Sequence, residues 1–136
     1  MDALKTILRN FPHNDLYDEL SFLGKLHEQQ LWDVEEYWLL EWGIYNLGKG
    51  SSKNLDWEIF RIFSSIMLSI SAHLDRNDSF KIKNLKRPKL YKFRERVQLI
   101  FEGYFSKSMP NQNIFEEINP LLKLSTISTD NPWGKI

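Results

Sequence analysis

Apolar positions recur at three- and four-residue spacing along nearly the whole chain, and no run alternates as a half-buried strand would. A short first helix is expected from Ala3 to Asn10, stopped by Pro12. Asn14 then reads as an N-cap, with Asp15, Asp18 and Glu19 in the first turns, where carboxylates suit the helix dipole. Leu16, Leu20, Leu23, Leu26 and Leu31 would line one side of this second helix. Asp33 and Glu36 have capping-box spacing and open a third helix, with Trp32 and Tyr37 in the flanking staple positions. The GKGSSKN segment ends it, Gly48 being a natural residue beyond a C-cap.

A fourth helix starts after Asn54, and its stripe of Leu55, Ile59, Ile62, Phe63, Ile66, Ile70 and Leu74 is wide enough to make it central. DRNDS ends that helix and KIKNLKRPK follows as a loop. Pro88 suits the first turn of a fifth helix, where Leu90, Phe93, Val97, Ile100 and Tyr104 step by three and four. SKSMPNQN breaks it. Asn113 with Glu116 would cap a short sixth helix interrupted by Pro120, and residues from about 125 to 136 form an irregular tail, with Trp133 docking back on the core. The expectation is an all-α, single-domain bundle of five or six helices over residues 1–136.

Within the third helix two apolar strips lie side by side. Tyr37, Leu40, Ile44 and Leu47 make one; Val34, Trp38, Trp42 and Tyr45 make the other. Together they exceed what one neighbour covers, so the helix is either wedged among several others or keeps one strip for a partner. Glu41 falls between the strips and needs a buried partner, for which Arg94, Arg61, His27 and His73 are candidates. Such a carboxylate can serve as a general acid, but with no second acid at hand a structural pair is the simpler reading.

The 42% apolar and 14% aromatic content argues against disorder. There is no cysteine, which excludes disulfides and thiolate chemistry and fits a reducing compartment. MDALKTILRNFPHND lacks the apolar core of a secretory signal, and no apolar run is long enough to span a bilayer, so a cytoplasmic location is expected. His27 and His73 fall on apolar faces and His13 in a loop; none has ligand spacing, so no metal or other cofactor is expected. There is no Walker loop, GxGxxG or GxSxG, and Ser64, Ser65, Ser69 and Ser71 cluster on one helix without a positioned base. No catalytic residue is assigned, and the chain is read as non-enzymatic.

Zero net charge conceals an asymmetry: residues 1–58 hold eleven acids and five bases, and residues 59–136 seven acids and thirteen bases. Either the halves attract each other within the fold or one meets a charged partner. The stretch from Lys81 to Arg96 carries eight bases, and Lys83, Lys86, Arg87, Lys89 and Lys92 could track a phosphate backbone in an alternative, nucleic-acid-binding reading. Against it stand the neutral whole, with a pI near 6.8, and the need for Phe93 in the core stripe.

DELSFLGKLHEQQLWDVEEYWLLEWGIYNL, the GKGSS break and the apolar helix after it resemble, in general character, the helical immunity proteins of bacterial toxin–immunity systems, such as those of contact-dependent growth inhibition and polymorphic toxins. The resemblance carries no signature motif, so it transfers no individual residue. It implies a small cytoplasmic protein that binds one cognate toxin and blocks its active site. A nuclease toxin would hold phosphate in a basic cleft, which carboxylates can enter in place of phosphate. On that reading Asp18, Glu19, Asp33, Glu35 and Glu36 face the toxin, with Trp32 or Trp42 as anchor. The basic run is a departure from a purely acidic inhibitor.

Overall fold

In a computed structural model, which describes residues 2–47 and 54–123, every regular element is helical. The order is α1 (Ala3–Leu8), α2 (Phe22–Gln29), α3 (Val34–Leu47), α4 (Asp56–Leu74) and α5 (Arg87–Ser106), then a 3-10 turn at Gln112–Ile114 and helical backbone at 120–123. Gly48, most of the GKGSSKN break, and the tail with Trp133 lie outside the described residues.

α3 is the centre of the bundle. Asp33 caps it, its Oδ1 accepting from the Glu36 N–H at 3.0 Å. It packs against α1, α2 and α5, which together cover both apolar strips: Tyr37, Trp38, Leu40, Ile44, Tyr45 and Leu47 are buried, and Val34 and Trp42 partly so. The wedge is therefore the main reason for this helix's aromatic load. α4 packs on α2 and α5 rather than occupying the centre. Its stripe faces inward as expected, with Phe63 and Leu74 at the margins. Pro88 stands in the first turn of α5, and Leu90, Phe93, Val97 and Ile100 are buried.

Two expectations need correction. The second helix begins at Phe22, not after Asn14. Asn14 Oδ1 accepts from the Leu16 N–H at 2.9 Å and Asp18 Oδ1 from the Leu20 N–H at 2.8 Å. These local side-chain bonds offer the backbone an alternative to the helix ladder, so residues 12–20 form turns and Leu16 and Leu20 are exposed. Ser21 is the true cap, accepting from the Gly24 N–H at 3.1 Å. At the other end the sixth helix contracts to the 3-10 turn, capped by Asn111 instead of Asn113. Pro120 starts the next helical turn instead of interrupting one, because Asn119 Oδ1 accepts from the Leu121 N–H at 2.9 Å.

Candidate functional site: an acidic face at the start of α3

The turn at 14–20, α2 and the first turn of α3 meet on one side of the bundle. Asp18 and Glu36 both grip Arg9, Asp18 at 2.9 Å, and Asp33 grips Lys25 at 2.6 Å. Glu19 and Glu28 stand by Tyr17, whose hydroxyl pKa is raised by burial and then by the charges of Glu28, Glu19 and Asp18. Glu35 lies exposed in the first turn of α3. Among the described residues five carboxylates thus share this side with Arg9 and Lys25, and Glu35 stands exposed in the same turn of α3, its backbone amide supporting Asp33.

The cations orient the face without neutralising it. The Leu20 N–H and then Arg9 hold Asp18 below its ordinary pKa. Burial works against the Asp33 charge, but the Lys25 hydrogen bond and the α3 backbone amides outweigh it, so its pKa is also lowered. All of these groups are partly exposed, so the pairs contribute little stability, and their effect is positional. Gly24 sets the turn's location. A Cβ there would meet Glu19 O at 2.5 Å and Asp18 O at 2.8 Å, so only glycine lets the acidic turn lie on α2.

The structure therefore gathers Asp18, Glu19, Asp33 and Glu36, with Glu35 exposed in the first turn of α3 beside Glu36. It does not bring Trp32 to their side as an anchor. That indole is sealed at 1% exposure against Phe22, with ring centroids 4.8 Å apart, and Phe93, at 5.0 Å. Its Nε1–H has no hydrogen-bond partner. Trp42 remains half-covered, seven residues on from Glu35 and so on the same face of α3. Sequence reasoning missed Arg9, Lys25 and Glu28 because pairing across turns leaves no local signature.

Glu41 is fully buried, and its partner is Arg96, not Arg94, Arg61, His27 or His73. Arg96 Nε and Nη2 donate to its two oxygens at 2.8 and 2.9 Å. Tyr37 Oη donates at 2.9 Å, and the amides of Gln112 and Asn119 each at 3.0 Å. The guanidinium lies between the rings of Trp38, 4.6 Å away, and Phe115, 4.3 Å away. Burial opposes the Arg96 charge, yet its contacts with Glu41 raise its pKa above the ordinary value. This is a structural hub that fastens the 112–119 segment to α3 and α5.

The basic stretch is partly neutralised. Lys92 pairs with Glu116 at 2.8 Å and Lys89 with Glu117 at 3.5 Å, across a cleft of about 470 Å³ floored by Trp38, Phe93 and Phe115. Lys83, Lys86 and Arg87 remain exposed without an acid partner among the described residues. Among those residues no cluster of His, Asp and Glu could hold a metal ion, and no helix is long and apolar enough to cross a membrane.

Oriented carboxylates on a rigid helical scaffold are suited to binding a cationic surface. Comparison with protein families carries this further: residues 9–101 match the family model of Immunity protein 41, and the chain belongs to that family. The resemblance to immunity proteins is borne out. No curated protein and no solved structure matches the chain.

Proposed function

We propose that this immunity protein binds a cognate bacterial toxin domain in the cytoplasm and neutralises it by covering its active site, and that the acidic face is the part that meets the toxin's basic cleft. Such a cleft fits a nuclease, where Glu19, Glu28 and Glu35 would occupy phosphate positions. The observation supporting this reading is the fixed surplus of carboxylates around Arg9 and Lys25. Asp18, Asp33 and Glu36 are held in place by those cations, and the acids beside them, unpaired among the described residues, are available to engage a partner. Trp42 offers an adjoining aromatic surface.

The test uses a purified cognate toxin domain, identified by its co-purification with this protein from the native host. Glu19→Lys with Glu35→Lys alters exposed residues only, so the fold should be unchanged. Association should slow by about tenfold at low salt, with the gap closing as salt is raised. An association rate equal to that of the parent protein at every salt concentration would remove the acidic face from the interface.

A further inference from the structure

The outward side of α4 carries more exposed large apolar side chains than any other helix among the described residues. Trp57, Phe60, Arg61, Ser64 and Leu68 repeat at helical spacing on the side opposite the buried stripe. Trp57 is 59% exposed and Leu68 67%. Trp57 and Phe60 are stacked at 6.4 Å, and the Arg61 guanidinium lies 5.4 Å from the indole centroid. Arg61 has no carboxylate partner among the described residues, and the nearby Asp56 is engaged by the Tyr104 hydroxyl at 2.9 Å. By contrast, the cleft beside Arg96 has its rim cations paired with Glu116 and Glu117.

Apolar residues on both sides of a helix call for cover on both sides, and among the described residues only one side has it. An acidic face speeds encounter more than it holds a complex together. Strong retention comes from desolvated aromatic and arginine anchors, and Trp32 cannot serve, being inside. The α4 face is also continuous with the turn that leads to the acids. Arg61 and Ser65 share a small cavity with Pro12 and His13, immediately before the turn at 14–20.

We propose that Trp57, Phe60, Arg61 and Leu68 form the apolar anchor of the same toxin interface. They would dock in a groove of the toxin domain that buries the indole and presents a carboxylate to Arg61. This rests on the reading of the chain as a toxin-binding immunity protein, and it divides the labour: the acidic face governs association, and α4 governs dissociation.

The experiment measures association and dissociation rates with the same purified cognate toxin domain. Trp57→Ala and Leu68→Asp should each keep the parent melting temperature. Each should raise the dissociation rate about 30-fold or more and move the association rate by less than about threefold. If both variants dissociate like the parent while Glu19→Lys with Glu35→Lys still slows association, the α4 anchor is wrong and the toxin-binding reading stands. If the parent protein does not bind the toxin, both fall. If the free parent protein is a dimer that Trp57→Ala splits, the face joins two copies of this chain and the proposal is overturned.

Discussion

Removing Glu41 should be among the most destabilising single changes in the bundle. Its carboxylate is fully buried and accepts from Arg96, Tyr37, Gln112 and Asn119. Glu41→Ala leaves the Arg96 cation at 6% side-chain exposure with no counter-charge, along with an unanswered phenol and two amides. Breaking a buried pair by deleting one partner costs about 3–5 kcal/mol. Arg96 keeps the Glu117 carbonyl at 2.6 Å and Gln112 Oε1 at 2.8 Å, which keeps the cost within that range. A domain of this size has only about 5–15 kcal/mol in total, and the midpoint should fall by roughly 10–20 °C. Glu41→Leu with Arg96→Met removes both charges. Continuum arguments and buried-pair replacements then predict recovery of about 2 kcal/mol or more relative to the sum of the single changes. Denaturant unfolding of the parent, Glu41→Leu, Arg96→Met and the double variant closes the cycle, with Glu41→Ala measured beside them. A cost below about 1 kcal/mol for Glu41→Ala, or single changes that simply add, would refute the hub.

His73 Nδ1 accepts from the Ile82 N–H at 2.8 Å, and burial, then Lys81 and Arg87, lower its pKa. The unfolded chain therefore takes up a proton first, so stability should fall as pH drops below about 6.5 and on through the lower folded value. Melting measured from pH 7.5 to 5 should show a shallower decline in His73→Asn, which keeps an acceptor but does not titrate; an identical slope would count against it. His27, also lowered by burial, leaves some dependence in that variant. Gly24→Ala drives a methyl into the rigid Asp18–Glu19 backbone, costing about 1–3 kcal/mol and slowing toxin association by displacing the acidic turn. Parent-like melting and association would show that the turn is not fixed by that contact.

Long periodic segments with matching caps were legible in the sequence. The apolar stripes of α4 and α5 each have their own end signals, at Asn54 and Pro88. The 14–20 turn was not legible, because Asn and Asp serve equally well as helix caps and as closers of local turns, and tertiary packing on Gly24 decides between them. The partner of Glu41 was within reach. Arg96 stands three residues after Phe93 and four before Ile100, inside the buried stripe, whereas Arg94 points out and stacks on Tyr91 at 4.9 Å. The aromatic content of α3 misled in another way. It marks the helix that touches most neighbours, while the two most exposed large rings sit on α4, where the strong inward stripe drew attention from Trp57 and Phe60.

Direct ion pairing leaves the charge asymmetry largely in place among the described residues. If the acidic and basic halves were cancelling each other, ion pairs would run between them. Among the described residues Arg9, Asp18, Lys25, Asp33 and Glu36 pair within the first half, and Lys89, Lys92, Glu116 and Glu117 within the second. Only Glu41–Arg96 crosses, and it is buried, where it contributes nothing to the outer field. Pairing within each half removes equal numbers of both signs, so among the described residues it leaves the surplus of each half in place. A persistent surplus acts beyond contact range. Over about a Debye length, 8–10 Å at ordinary salt, it orients an approaching charged domain and raises capture rates by 10-fold or more. For a protein that must intercept a toxin before it acts, speed of capture matters as much as tightness. On the proposed reading, the segregation of charge along the chain serves that capture.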